Sequence, residues 1–320
     1  MVIKKFKSIA ALGLLLSLSL LTSCNDDDDP VVIDSPKDIV EIASETPSLS
    51  ILVDAVVKAD LVDALKMAGP YTVFAPNNDA FAALLDSNAD WNTLNDIPTE
   101  TLATVLKFHV LTSEVRSTDL SDTYVKTLAM GPNEENLSLQ VETTGGVEFN
   151  GDAKPLAVDV EANNGVVHII DKVMLPANIV TLALNNAGFT SLVAALTDSR
   201  HTTDFVATLS TDGPFTVFAP TNAAFQALLD SNDEWNGLGD VPIETLDAVL
   251  KYHVVNGANV QADQLSDNQE IAMLSGGMLT VDLTDGAKLE TSSDQSVVIS
   301  LTDVQGTNGV IHAVDSVLLP

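Results

Sequence analysis

This chain of 320 residues has little cysteine, few basic residues and few aromatic residues. Its one cysteine, Cys24, has no second cysteine to pair with, so stability must come from packing rather than from a disulfide within the chain. Lysine and arginine number 14 against 45 aspartate and glutamate residues, and the formal net charge is −31. Because phosphate backbones and anionic lipid headgroups repel so acidic a chain, the composition argues against binding to nucleic acid or to anionic membrane surfaces.

The sequence also lacks the motifs that usually carry catalysis or hold a cofactor. It has no phosphate-binding loop, no HExxH pair, no nucleophile elbow and no EF-hand loop. Zinc needs three or four ligands, whereas each half of the chain offers two histidines at repeated positions. We therefore expect no enzyme activity, no metal site and no cofactor.

The N-terminal 23 residues have the pattern of a secretory signal peptide. Lys4, Lys5 and Lys7 precede an apolar run over 9–21 that is too short to span a bilayer as a mature helix. The run ends in Leu-Thr-Ser-Cys24, which resembles the lipobox of bacterial lipoproteins. This predicts cleavage before Cys24 and lipidation of that residue, and an ordinary secreted protein with an incidental cysteine is the alternative.

Residues 24–36 form an acidic segment that begins Cys-Asn-Asp-Asp-Asp-Asp-Pro. Its like charges predict an extended, solvated tether. Acidic residues just after a lipidated cysteine also resemble the surface-export signal of Bacteroidetes-type lipoproteins. We expect a lipid-anchored protein of the outer membrane that is exposed on the cell surface, with the periplasmic face as the alternative.

The rest of the chain is written twice. Thr72–Leu111 and Thr216–Val255 align without a gap at an offset of 144 residues, and 27 of 40 aligned positions are identical. Asn164–Pro176 and Asn308–Pro320 match at the same offset. A period of this length is the size of a globular domain rather than of a solenoid repeat. The sequence predicts two tandem domains, over 37–176 and 177–320.

Each copy has helical periodicity first and strand alternation later. Apolar residues at three- and four-residue steps predict a helix over 38–67, and Asn77 and Thr221 are suitable N-caps for the next helix. Alternating runs with Gly-Gly and Asp-Gly turns predict β-hairpins near 137–149 and 279–290, and closing strands are predicted over 166–175 and 310–319. Helices followed by an antiparallel sheet indicate an α+β fold.

Three motifs, in order and in both copies, resemble the fasciclin (FAS1) domain. The first is Thr-Val-Phe-Ala-Pro-x-Asn-x-Ala-Phe, the second is Tyr-His, altered to Phe-His in the first copy, and the third is the Asn-Gly-Val-x-His segment. The motif residues that define the fold are Phe74, Pro76, Phe81, His109 and His168 in the first copy, and Phe218, Pro220, Phe225, Tyr252, His253 and His312 in the second.

The resemblance implies a wedge-shaped β-sandwich flanked by helices, with a role in adhesion or matrix interaction and no catalysis. Implied partners are extracellular matrix, a cell-surface protein or a glycan. A carbohydrate-binding accessory lipoprotein is the alternative function, although aromatic residues make up only 5% of the chain. A hydrolase is a weaker third possibility, because no catalytic constellation appears.

The repeated histidines extend apolar helix faces or lie inside apolar strands, so we expect them to be buried core residues. His201 lies in a loop that the first copy lacks and is expected to be exposed. Trp91 and Trp235 occupy equivalent positions and are expected to close the two cores. Phe108 stands where the motif has tyrosine, so any role of the hydroxyl is absent from the first copy.

Overall fold

The computed structural model describes residues 36–320. The predicted signal peptide, the lipidation site at Cys24 and residues 24–35 of the tether lie outside the described residues. Within 36–320, each copy of the repeat folds as helices packed on a mixed sheet. Among these residues no single helix has the length and apolarity of a bilayer span, whereas the bent pair Ile179–Asn185 and Ala187–Leu196 has them only in combination.

The first copy contains five helices and seven strands among the described residues. Its helices are α1 (Ile39–Glu45), α2 (Ser50–Lys58), α3 (Val62–Leu65), α4 (Asn78–Asp86) and α5 (Thr99–Phe108). Its strands are β1 (Tyr71–Pro76), β2 (Val110–Leu111), β3 (Thr123–Met130), β4 (Asn136–Glu142), β5 (Glu148–Phe149), β6 (Pro155–Ala162) and β7 (Gly165–Ile170).

The second copy repeats this order of elements. Its helices are α6 (Ile179–Asn185), α7 (Thr190–Leu196), α8 (Phe205–Leu209), α9 (Asn222–Asp230) and α10 (Ile243–Tyr252). Its strands are β8 (Phe215–Pro220), β9 (Val254–Asn256), β10 (Glu270–Ala272), β11 (Met278–Asp282), β12 (Lys288–Glu290), β13 (Ser296–Gly306) and β14 (Gly309–Val314).

The helix predicted over 38–67 is wrong as a single element. Asp38 and Glu41 form a capping box that starts α1, as the acidic first turn favours. Pro47 then opens a 3₁₀ turn, and Asp60 has a positive φ of 56° that no α-helix accommodates. The segment therefore bends into three short helices, α1 to α3, that pack around one end of the sheet.

The predicted capping residues and hairpins are present. Asn77 Oδ1 accepts a hydrogen bond from the Ala80 N–H at 2.8 Å, and Thr221 caps α9 in the same way. The hairpins form as β4–β5 and β11–β12. Strands β7 and β14 end at Ile170 and Val314, earlier than the predicted strands over 166–175 and 310–319.

The expected antiparallel sheet is wrong in one respect, because β7 pairs with β1 in parallel and β14 pairs with β8 in parallel. In the first copy the strand orders are β2-β1-β7-β6 and β3-β4-β5, which are two separate sheets. In the second copy one seven-stranded sheet runs β10-β11-β12-β13-β14-β8-β9. The long strand β13 joins its two parts by pairing with both β12 and β14.

Strand alternation divides each copy into two apolar cores. On β1, Val73 and Ala75 face the helices, whereas Phe74 faces the core formed with β4 and β5. The second copy repeats this division, with Val217 on the helix side and Phe218 on the other. The central strand of each copy is therefore covered on both faces.

Candidate interaction surface

His109 and His253 are buried structural side chains. The His109 Nδ1–H donates to the Val105 carbonyl at 2.7 Å, and Nε2 accepts the Met174 N–H at 2.9 Å. His253 makes both bonds at the same distances with the equivalent backbone groups. Burial lowers the pKa of each imidazole to about 4, so both rings are neutral at pH 7. Each ring joins a helix end to the segment that follows the last strand of its copy.

His168 and His312 are equally enclosed, on the parallel strands β7 and β14. The His168 Nε2–H donates to the Val115 carbonyl at 2.9 Å, and its ring stacks on Phe74 with centroids 5.6 Å apart. His312 makes the same backbone bond and stacks on Phe218. Among residues 36–320 no group of three or more histidine, cysteine, aspartate or glutamate residues could hold a metal ion.

The aromatic and proline residues of the first motif are core elements in both copies. The two prolines end strands β1 and β8 immediately before the helix caps. The phenylalanines are at most 1% exposed. They are Phe74, Phe81, Phe218 and Phe225, and the prolines are Pro76 and Pro220. The motif thus builds the fold and does not form an exposed binding loop.

Tyr252 uses its hydroxyl for a structural hydrogen bond. The O–H donates to the Met278 carbonyl at 2.7 Å, although the ring itself is fully buried. Phe108 occupies the equivalent position in the first copy and is equally buried without the bond. The two tryptophans, Trp91 and Trp235, pack at the edges of the helix-side cores and are half-buried.

The expectation that His201 is exposed is wrong. Its side chain is 3% exposed, Nε2 donates to the Ala195 carbonyl at 2.7 Å, and Nδ1 bonds to Asp247. Its ring also lies edge-on to Phe205, with centroids 5.0 Å apart. The inserted loop therefore folds inward and places His201 against α7, α8 and α10 of the second copy.

The two copies meet along a seam of polar groups between β4 and β13. The Gln305 N–H donates to Ser138 Oγ at 2.9 Å. The Gln305 side-chain amide bonds to Asn259 at 3.1 Å and to Gln261 at 2.7 Å. We call Asn259, Gln261 and Gln305 the amide network. All three are buried, and neutral amides can satisfy one another there without the cost of burying charge.

Beside the seam lies a cleft of about 460 Å³ that is lined by both polar and apolar residues of the two copies. The Tyr124 hydroxyl accepts from Asn186 Nδ2 at 2.8 Å, and burial raises the pKa of Tyr124 to about 12, so it keeps its proton. Gln140 is 4% exposed, and within the described residues its Oε1 atom has no hydrogen-bond partner. The residues that define this seam cleft are Asp122, Tyr124, Gln140, Glu142, Asn186 and Leu301.

Sequence reasoning missed both the amide network and the seam cleft. The available signal is a difference between copies: Asn259, Gln261 and Gln305 align with charged residues of the first copy. When one copy has uncharged side chains where the other copy has charged ones, the uncharged positions indicate a covered face. This signal is visible only when the two copies are aligned with each other.

Comparison with known proteins places the motifs in a family. The fasciclin domain model matches residues 47–176 and 187–320. The chain belongs to the fasciclin domain family. A solved FAS1 domain pair from the insect cell adhesion molecule Fasciclin I has the same fold, with a TM-score of 0.50, 18% identity, and coverage of 85% of this chain and 97% of that one.

Relatives with fasciclin domains occur in bacteria and in mammals. Protein sll1483 of Synechocystis is 41% identical over 143 residues, covering 45% of this chain and 76% of that protein. The transforming growth factor-beta-induced protein ig-h3 of Sus scrofa is 31% identical over 260 residues, covering 80% of this chain and 36% of that protein. Human periostin is 28% identical over 252 residues, covering 79% of this chain and 28% of that protein. The chain thus spans only about a third of the length of these mammalian relatives.

Proposed function

We propose that this chain is a non-catalytic adhesion module that binds extracellular matrix or a cell-surface protein. One observation supports it above the others: the chain is a tandem fasciclin pair, and a solved fasciclin pair of the same fold comes from a protein described as a cell adhesion molecule. The four repeated histidines bond to the backbone through both ring nitrogens, which leaves exposed loops, strand edges and the seam cleft for contact.

The proposed setting is the outer surface of the cell envelope, with the chain held by a lipid on Cys24. The apolar run before Cys24 and the acidic residues after it support this location. Two tandem domains on a tether can bind a multivalent partner with avidity when their spacing matches the partner's.

A glycan is the second candidate partner, and the seam cleft is the observation that favours it. The cleft offers the phenol of Tyr124 and the carboxylates of Asp122 and Glu142. Hydroxyl groups of a sugar can both donate to and accept from such groups.

Attachment of the full chain to a surface tests the adhesion proposal. Immobilised protein should support saturable attachment of cells or capture of matrix proteins, without turnover of any substrate. A Phe74→Asp/Phe218→Asp variant, which places charge in both cores, is the unfolded control. Attachment no greater than that of this control would refute the proposal. Polysaccharide binding that is lost in Glu142→Ala, with matrix capture unchanged, would favour the glycan.

Metabolic labelling with palmitate tests the anchor, with Cys24→Ser as the matched control. Label should enter the natural chain and not the variant. Protease treatment of intact cells then tests exposure: a chain that is cut only after the outer membrane is breached faces the periplasm.

A further inference from the structure

The first domain contains a cavity of about 240 Å³ between helices α1 to α3 and the sheet. Its wall is built from short aliphatic side chains on the helices and from the helix-side residues of β1 and β7. Six of the lining residues are Val40, Ala43, Leu52, Val56, Val73 and Val167. The cavity thus lies within the helix-side core of this domain rather than in the seam.

The polar side chains in the wall are already bonded. Ser44 Oγ donates to the Val40 carbonyl at 2.7 Å. His109 uses one ring nitrogen as donor and the other as acceptor, both with the backbone. Neither side chain has a hydrogen-bond donor left for a ligand, and the other lining side chains are apolar, so a polar group buried deep in the cavity would be unsatisfied. The chemistry of the wall selects hydrocarbon.

The same place in the second domain is almost filled, with a volume of only about 20 Å³. Strand register aligns Val167 with Ile311, since these residues pair with Val73 and Val217. The Ile51 N–H donates to Asn78 on α4, and the Ser191 N–H donates to Asn222 on α9. Because these bonds are equivalent, α2 aligns with α7 and Val56 aligns with Leu196. Leu196 and Ile311 are each one methylene larger than the valines they replace, and both line the smaller space. The fold therefore does not require the cavity.

The cavity opens to solvent along an apolar rim. Val57, on the last turn of α2, lines the opening and is 62% exposed, and Val53 one turn earlier is half-buried. Exposed valines at the mouth of an apolar space provide an entry path for an apolar molecule.

Charge around the opening disfavours an anionic ligand. Helices α1 and α3 carry the exposed acids Glu41, Glu45 and Asp63, and of these Glu45 is paired with Lys37 at 2.6 Å. Lys58, on α2, donates to the carbonyls of Leu94 and Ile97 at 2.6 and 2.7 Å. A fatty acid carboxylate or a phosphate would meet a negative field at the mouth.

We propose that this cavity is a binding site for one neutral hydrocarbon chain, such as a medium-chain alcohol or the tail of an uncharged lipid. Since an apolar cavity of about 150 Å³ admits benzene, a space of 240 Å³ takes a chain of roughly six to ten carbon atoms. This activity is separate from adhesion and needs no partner surface.

Titration of the full chain with 1-octanol, followed by methyl NMR and calorimetry, tests the site. We expect saturable shifts of the Val53, Val56 and Val57 methyl signals and none at Leu196. The variant Val56→Leu/Val167→Ile copies the second domain and should weaken octanol binding by about tenfold or more. The reverse variant, Leu196→Val/Ile311→Val, should create a second site. Sodium octanoate should bind more weakly than octanol.

Near-ultraviolet circular dichroism of each variant verifies that it is folded, so loss of binding reports on the cavity. Equal octanol affinity in Val56→Leu/Val167→Ile and the natural chain would overturn the proposal. A second result would also overturn it. If, without octanol, the Val53 and Val57 methyl signals shift with protein concentration and light scattering shows a doubled mass, a second copy of the chain occupies the opening.

Discussion

Three aligned positions have charged side chains in the first fasciclin domain and neutral amide side chains in the second. The alignment is fixed by Thr72 and Thr216, whose hydroxyls accept the N–H groups of Val115 and Val260 at 2.8 and 2.9 Å. The first domain has Glu114, Arg116 and Glu161 at these positions, where the second has the amide network of Asn259, Gln261 and Gln305.

The difference follows from what covers each face. Arg116 bonds to Glu114 and Glu161 at 2.8 Å each, and these side chains are between 38% and 72% exposed. In the second domain the first domain covers the equivalent positions, and Gln305 is 1% exposed. Charged groups lose their hydration when buried, whereas neutral amides can bond to one another. A shared backbone therefore leaves the choice of side chain to the neighbour.

A second contrast concerns the basic side chain that binds the carbonyls of a 3₁₀ turn in each domain. Lys58 and Arg200 both donate to the carbonyls of the same 3₁₀ turn, Leu94 and Ile97 in one domain and Leu238 and Val241 in the other. Arg200 stands in the inserted loop, which also carries His201 into the core. The domains thus reach the same bonds from different sequence positions.

The largest expected effect concerns what the domains share. Phe74→Ala and Phe218→Ala should each lower the free energy of unfolding of their own domain by about 3–5 kcal/mol, because each removes a fully buried ring. Urea titration with methyl NMR probes in each domain measures the two costs separately. A cost in one domain less than half of that in the other would break the equivalence of the cores.

Acid should destabilise both domains over the same range. His109 and His253 have a pKa of about 4 when folded and 6.5 when free, so the unfolded chain binds protons first as the pH falls. Their contribution is complete above pH 6.5, is lost between pH 6.5 and 4, and changes little below pH 4. Over this pH window each histidine should lower the free energy of unfolding of its own domain by about 3 kcal/mol.

Urea midpoints between pH 4 and 7 measure this slope. His109→Gln should flatten the slope in the first domain and leave the second unchanged. A slope that survives in His109→Gln would mean that other groups carry the pH dependence.

Exchanging glutamine and glutamate at the aligned positions should change stability much more on the covered face than on the exposed face. Gln305→Glu buries a carboxylate without a cation and should cost about 2–3 kcal/mol at pH 7, with less cost below pH 4 where the carboxyl is neutral. Glu161→Gln at the aligned exposed position should change stability by about 0.5 kcal/mol or less. Hydrogen exchange at Gln305 and Ser138 shows whether the seam opens. Equal effects would remove burial as the explanation.

The smallest expected effect concerns the altered Tyr-His motif. Tyr252→Phe removes the hydrogen bond to the Met278 carbonyl and should destabilise the second domain by about 1 kcal/mol. Phe108→Tyr adds a hydroxyl to a fully buried ring and should stabilise the first domain only if a backbone acceptor lies within reach. Thermal unfolding of both variants decides whether the exchange is symmetrical.

Local chemistry made much of the fold predictable. Asn77 and Thr221 precede amphipathic helices, so their capping role can be read from neighbouring residues. The hairpin turns and the burial of Phe74 and His109 also depend on short-range patterns. The helix predicted over 38–67 breaks at two places: Pro47 is a helix breaker that the sequence displays, whereas Asp60 adopts a positive φ that its residue type does not require.

The sequence by itself determined that there are two domains, the order of helices before strands, and the family, because the repeat and its motifs are local and complete. Only the tertiary structure decided the parallel pairing of β1 with β7, the neutral seam around Gln305 and the cavity beside Val56. Each of these depends on residues about 90 to 170 positions apart in the chain, whose contact and unfilled volume follow from packing.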